Sequence, residues 1–341
     1  MLSLMPLRTL LIVTLLCFVS SGAVSQSLRV TVAPVDTLLF PLSEVAIATI
    51  DDFDIDEHGS AIVLDYTSRS LFLYDETSQK VTMLDPEPCT PGFSFTPLTF
   101  AANDEYILLN NDGPWGYLFK RDGTCVSGMD EMYTPLRLPV LGADNLAWGM
   151  RRTGESEATL YAVDIQGKEL ESIQLPNGDF PRADHRIRGG GLELLDSGAI
   201  VFAPSVSPIM YILDESRALK ILDLKGDIER LRLPERDMPA GRAGPDMMKA
   251  GGEIVTRRSM NQGVYALKDD IVLLQYYHAA DRTWEWLVVD MLDDDRRVST
   301  MNDFGFFRII DGFGYRLVVP DRGEDGETPN FYFVRYSISV E

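Results

Sequence analysis

Histidine and cysteine are both scarce in this sequence, with three of each in 341 residues. So few ligands of the right type leave little material for a zinc centre. Base is the second shortage: 31 Lys and Arg stand against 52 Asp and Glu, a net charge of −21. Binding to phosphate backbones needs a basic face, so a nucleic-acid partner is excluded. No segment holds 18 uninterrupted apolar residues, so no transmembrane segment is expected in the mature chain. Amphipathic patterns of helical period over 12 or more residues are also missing, which disfavours an α/β fold. What remains, 45% hydrophobic and 24% charged residues, is the composition of a folded globular chain.

Residues 1–25 read as a secretory signal peptide. Arg8 lies in a short n-region, Leu10–Val19 is an apolar h-region, and Ala23 and Ser25 precede a cut before Gln26. The apolar stretch is too short to span a bilayer, which takes about 20 residues. Export to the periplasm or the exterior follows. Cleavage removes one arginine and no acid, leaving 30 bases against 52 acids, or −22. It also removes Cys17, so Cys89 and Cys125 remain. An even count in an oxidising compartment permits a disulfide between them; two separate buried thiols are the other arrangement.

The mature chain repeats itself. A short apolar strand, usually ending in Asp, recurs as Leu71–Asp75, Tyr117–Asp122, Leu160–Asp164, Met210–Asp214, Trp286–Asp290 and, with Arg335 in place of Asp, Phe331–Arg335. Aromatic and β-branched runs of this length are strands. Each is preceded by another strand behind an acidic or Gly turn, as in Ser60–Asp65, Tyr106–Asn110 and Ile271–Tyr277. A lone hairpin cannot bury its apolar face, so such units must stack. The 316 mature residues divide into six units of about 53, close to a four-stranded propeller blade with insertions. The excess falls at about 227–260, rich in Pro, Gly and charge, and is expected to be a long inter-blade loop with at most one helical turn. These features predict an all-β fold, a six-bladed β-propeller of four-stranded antiparallel blades forming one domain over 26–341. The isolated strand Ser27–Val32 is expected beside Asn330–Val340, closing the ring within one blade and removing open sheet edges.

Phe53–Val81 resembles an NHL-type blade: strand, D-x-x-G turn, strand ending in Asp, polar loop, strand ending in Asp. The wider chain is similar to exported bacterial six-bladed propellers of the NHL and TolB-like group. That resemblance implies a non-catalytic binding or scaffolding protein, acting as a monomer without a cofactor. It would hold a small polar ligand, glycan, peptide or partner protein at the mouth of the central channel. The mouth would be lined by the innermost strands and the loops joining second and third strands, which nominates Trp115, Arg188, Arg258, His278 and Arg308 for ligand contact. Such a mixture suits a polar or anionic ligand or an extended peptide. A second resemblance, to six-bladed lactonases, implies a metal-dependent hydrolase with a divalent ion such as Ca²⁺ in the channel, for which Asp52, Asn261 and Asp303 are the matching candidates.

Other motifs have structural readings. Asp52, Asp54 and Asp56 alternate with Phe53 and Ile55 as a half-buried strand does, and Gly59 arrives too late for an EF-hand loop. Gly189–Gly191 precedes no helix pattern, as a phosphate loop would require, and suits close backbone approach near a crowded axis. No G-x-S-x-G nucleophile elbow is present.

Overall fold

The computed structural model describes residues 30–39, 47–56, 58–85, 87–89, 96–111, 116–129, 137–152, 158–176, 190–205, 207–224, 249, 259–268, 271–291, 296–299, 305–318 and 332–340. The signal-peptide segment and most of 227–260 lie outside the described residues.

The strands form six antiparallel four-stranded sheets. Blade one comprises Asp52–Ile55, Ala61–Asp65, Ser70–Asp75 and Lys80–Met83; blade two comprises Pro97–Ala102, Tyr106–Asn111, Gly116–Lys120 and Cys125–Met129. Blade three runs Arg137–Leu141, Leu146–Arg152, Ala158–Asp164 and Glu169–Gln174. Blade four runs Gly191–Leu194, Ile200–Ala203, Ile209–Leu213 and Leu219–Asp223. Ser259–Lys268, Ile271–His278, Thr283–Asp290 and Arg296–Ser299 form blade five. Blade six takes Arg308–Ile310, Phe313–Val318 and Tyr332–Val340 from the C-terminal end and Val30–Leu39 from the other. The repeated Asp-ending segments are thus the third strand of each blade, and the protein is a six-bladed β-propeller.

Ring closure is visible in the core. Successive side chains of a strand point to opposite faces, and here both faces are covered by a neighbouring blade. Ala61 and Val63 pack with Tyr315 and Phe333 of blade six. Ile62 and Leu64, one step along, pack with Phe100, Ile107 and Leu109 of blade two. Four further clusters join blades two to three, three to four, four to five and five to six. Burial on both faces is why these strands read as continuous apolar runs instead of alternating ones. Trp286 and Phe306, at 4.8 Å between ring centroids, lie in the seam between blades five and six. In the same seam the Gln275 side chain donates to the Phe306 carbonyl at 2.7 Å and accepts its N–H at 2.7 Å.

The closing strand pairs antiparallel from Val30↔Val340 to Leu39↔Tyr332, extending beyond the expected Val32 and bulging between Pro34 and Asp36. The bulge places Asp36 against Arg335, whose Nε donates to Oδ1 at 2.9 Å. Arg335, the residue replacing Asp in the repeat, therefore serves closure. Cys89, beyond the outer strand of blade one, is disulfide-bonded to Cys125 on the outer strand of blade two, with Cα atoms 5.6 Å apart.

The recurrent aspartates have a local cause. Asp164 Oδ1 accepts from the N–H groups of Gln166 and Lys168, and Asp214 Oδ1 from the Ser216 hydroxyl and Ala218 N–H, each closing its hairpin turn. The Ser216 and Ala218 donors hold the Asp214 carboxyl below its usual range. At Gly191 a Cβ would collide with the backbone of Val264 on the inner strand of blade five. The glycine run therefore allows two inner strands to approach backbone to backbone.

Candidate functional site at the channel mouth

The turns joining first and second strands surround a cavity of about 950 Å³ at one mouth of the central channel. This is the mouth opposite the second-to-third-strand loops expected from the sequence. Its rim is formed by the short turns at 103–105, 142–145, 195–198 and 311–312. Of the second-to-third-strand loops, those at 112–115, 153–157 and 319–329 lie outside the described residues.

Charged side chains from separate blades meet in the depth of this cavity. Arg308, on the inner strand of blade six, places Nη2 2.9 Å from Asp52 Oδ1 and donates from Nε to the Phe53 carbonyl at 3.2 Å, both on blade one. Its side chain is 36% exposed and lines the cavity despite these bonds. Burial opposes its charge, but Asp52, Tyr265, Asp54 and Glu193 together outweigh this and raise its pKa. Asp54 is held by Arg121 Nη2 at 2.6 Å, reaching over from blade two, while Arg121 Nε donates to the Asn103 carbonyl at 2.7 Å. Asn103 in turn donates to the Gly142 carbonyl and to Asn145 Oδ1, both at 2.8 Å, so the rim is cross-linked from blade one to blade three. Burial raises the carboxyl pKa of both Asp52 and Asp54, with Arg308 and Arg121 respectively opposing the rise.

Glu193, on the inner strand of blade four, lines the same cavity. Burial pushes its carboxyl up to about 8, against the field of Arg308 and a hydrogen bond from the Ala266 N–H. Among the described residues no basic group lies within 4.0 Å of it. Burial likewise lifts the Tyr265 hydroxyl to about 12, with Arg308 opposing. That hydroxyl lies 3.4 Å from the Phe307 carbonyl.

Of the residues nominated from the sequence, the structure brings together two, Arg308 and Asp52, and joins them as an ion pair. Trp115, Arg188, Arg258 and Asp303 lie outside the described residues. His278 is buried within blade five, its Nε2 2.7 Å from Glu285 Oε2, and does not line the cavity described above. Asn261 is fully buried; its amide donates to the Ala203 carbonyl at 3.2 Å and accepts the Gly263 N–H at 3.1 Å. With Asn261 committed to backbone and Asp52 to Arg308, these two do not fit a shared divalent ion. The described residues contain no group of three His, Cys, Asp or Glu placed to hold a metal. Glu193, Tyr265 and Arg121 were not legible as site residues. GLELLD carries only an ordinary half-buried strand pattern, and Arg121 sits in a common turn.

The fold and its charged channel define the class: a six-bladed propeller with a ligand-sized opening on its axis. No family model matches the chain, and no curated protein sequence does. Its ring is similar to the crystal structure of a member of the DUF4221 family from Bacteroides vulgatus, with a TM-score of 0.57 and 12% identity, covering 92% of this chain and 99% of that one. It is also similar to a protein from Bacteroides fragilis described as exported, with a TM-score of 0.53, 9% identity and coverage of 92% and 95%. A weaker likeness, with a TM-score of 0.46 and 10% identity over 91% of this chain and 99% of that one, is to virginiamycin B lyase from Staphylococcus aureus. At these identities the likeness establishes the fold alone. No helix among the described residues is long and apolar enough to cross a membrane.

Proposed function

We propose that this protein is an exported binding propeller that takes a small polar ligand into the channel mouth formed by the first-to-second-strand turns. The carrying observation is the cavity of about 950 Å³ with Asp54, Glu193 and Arg308 converging in its depth from three different blades. Sites for small molecules have about this volume and a few convergent polar groups. A rim cross-linked through Asn103 preorganises the opening, so little ordering cost attends binding. Export rests on the signal-peptide pattern of residues 1–25, with which an oxidising compartment and the Cys89–Cys125 bridge agree.

The test is thermal unfolding of the purified protein against a panel of sugars, short peptides, amino acids, amines and organic acids. A native-state ligand at a hundred times its Kd adds about 2.7 kcal/mol, enough to raise Tm by several degrees. Ala143→Trp places an indole on the exposed rim turn and should abolish the rise. A rise that survives this substitution would remove the mouth from consideration.

A further inference from the structure

The opening has a sign. Seven carboxylates and three basic side chains line it. All three bases are engaged within the protein. Arg308 bonds Asp52 and the Phe53 carbonyl. Arg217 stacks over Trp148 at 4.8 Å and pairs with Glu171 at 3.3 Å. Lys268 Nζ donates to the Val340 carbonyl at 3.3 Å. Of the acids, only Asp54 is ion-paired among the described residues. Asp104, Glu105, Asp144, Asp196 and Asp311 stand exposed around the rim, and Glu193 lies below them without a basic partner. Uncompensated charge here is therefore negative and sits on the rim, while the inner acids are either paired with arginine, as Asp52 and Asp54 are, or protonated near neutrality, as Glu193 is. Exposed rim acids alone would be an ordinary solvated surface; Glu193 differs from them in being half-buried in the cavity lining, in the field of Arg308 and bonded by the Ala266 N–H.

We propose, resting on the binding reading above, that the ligand is an organic cation whose ammonium or guanidinium group is received by Glu193. A bare metal ion is a poor occupant, because hard cations take six or more oxygens at 2.3–2.6 Å and the described residues assemble no such cage. A polyamine is long enough to meet Glu193 with one ammonium and the rim acids with another, and fits within the volume. The acidic chain as a whole steers cations towards such an opening and repels anions. The groups around Glu193 are Arg308 from blade six and Tyr265 with the Ala266 N–H from blade five; Asp52 and Asp54 of blade one act on it through Arg308. Glu193 holds its proton near neutrality because burial raises its pKa, so a cation must displace that proton on binding.

Titration calorimetry with spermidine, citrate and chitobiose tests this, using the purified protein at low salt. Spermidine should bind, its affinity should rise by more than tenfold from pH 6 to pH 8 as Glu193 ionises, and paired buffers should show proton release at pH 7. Glu193→Gln, which keeps the shape of the protonated acid, should weaken spermidine at least tenfold and abolish the release. Glu169→Gln on the outer strand of blade three removes the same charge far from the opening and should change affinity less than twofold. Equal losses in the two variants, or spermidine binding without proton release, would overturn the assignment to Glu193. Binding of citrate or chitobiose in place of spermidine, sensitive to Ala143→Trp, would overturn the cation while leaving the mouth as the site. Binding by none of the three would also overturn it.

Discussion

Arg308 is the base that pairs with Asp52 at the channel mouth, and its removal has a calculable consequence. In Arg308→Met the ion pair to Asp52 at 2.9 Å and the bond to the Phe53 carbonyl are both lost. Two unit charges about 4 Å apart at an effective dielectric of about 20 interact by about 4 kcal/mol. The Arg308 side chain is 36% exposed and the Asp52 side chain 25% exposed, so solvent screening reduces this, and about 2 kcal/mol is expected at pH 7. Burial already raises the pKa of Asp52 with Arg308 present; without it the folded-state value rises further. An acid with a raised folded value favours the native state only while protonated, and that contribution is lost as pH rises through the folded value. The penalty of the variant should therefore be largest at neutral pH and shrink towards pH 4–5. Urea unfolding at pH 7 and pH 5 measures it, and Arg308→Met/Asp52→Asn should recover about 1 kcal/mol at pH 7. A penalty identical at the two pH values, with no recovery in the double variant, would refute the claim that Arg308 works by compensating buried carboxylates.

Glu193, lifted to about 8 by burial, makes the native protein lose stability as pH rises from about 5 through 8. Glu193→Gln should flatten that slope, read as urea midpoints at pH 6 and 8.5. The Cys89–Cys125 bridge closes a 36-residue interval, for which the chain-entropy model gives about 4 kcal/mol at most; Cys125→Ser should lower Tm, and reductant should bring the parent protein to the same value. Deleting residues 30–39 uncovers the edge of Tyr332–Val340 and the Val30 and Val32 contacts in the seam of blades five and six. The shortened protein should self-associate, visible by light scattering, and a monodisperse monomer of unchanged Tm would contradict the closing role.

The strands were legible because each follows from neighbours within about ten residues, and the closure because Ser27–Val32 was a strand left without a blade of its own. Continuous apolar runs imply strands covered on both faces, and an Asp three or four residues before its turn's last N–H implies a hairpin. Arg335 was legible only as the exception in the repeat; its bond to Asp36 across the closing strands came from the structure. The cavity at the first-to-second-strand turns was not legible, and the mouth expected at the second-to-third-strand loops lies partly outside the described residues. Arg308 was nominated for its place on an innermost strand; nothing local distinguished Glu193, Tyr265 or Arg121 from other strand and turn residues.

Composition, the sixfold repeat, the lone N-terminal strand and the even cysteine pair are properties of the chain as written, since turn chemistry and strand pattern act over a few bonds. Only the tertiary structure decided that Asp54, Glu193 and Arg308, spread over more than 250 residues, share one cavity. Their meeting depends on how each blade is rotated about the axis and on the ring being closed. Those quantities come from the packing of whole sheets against one another, and no local stretch of sequence carries them.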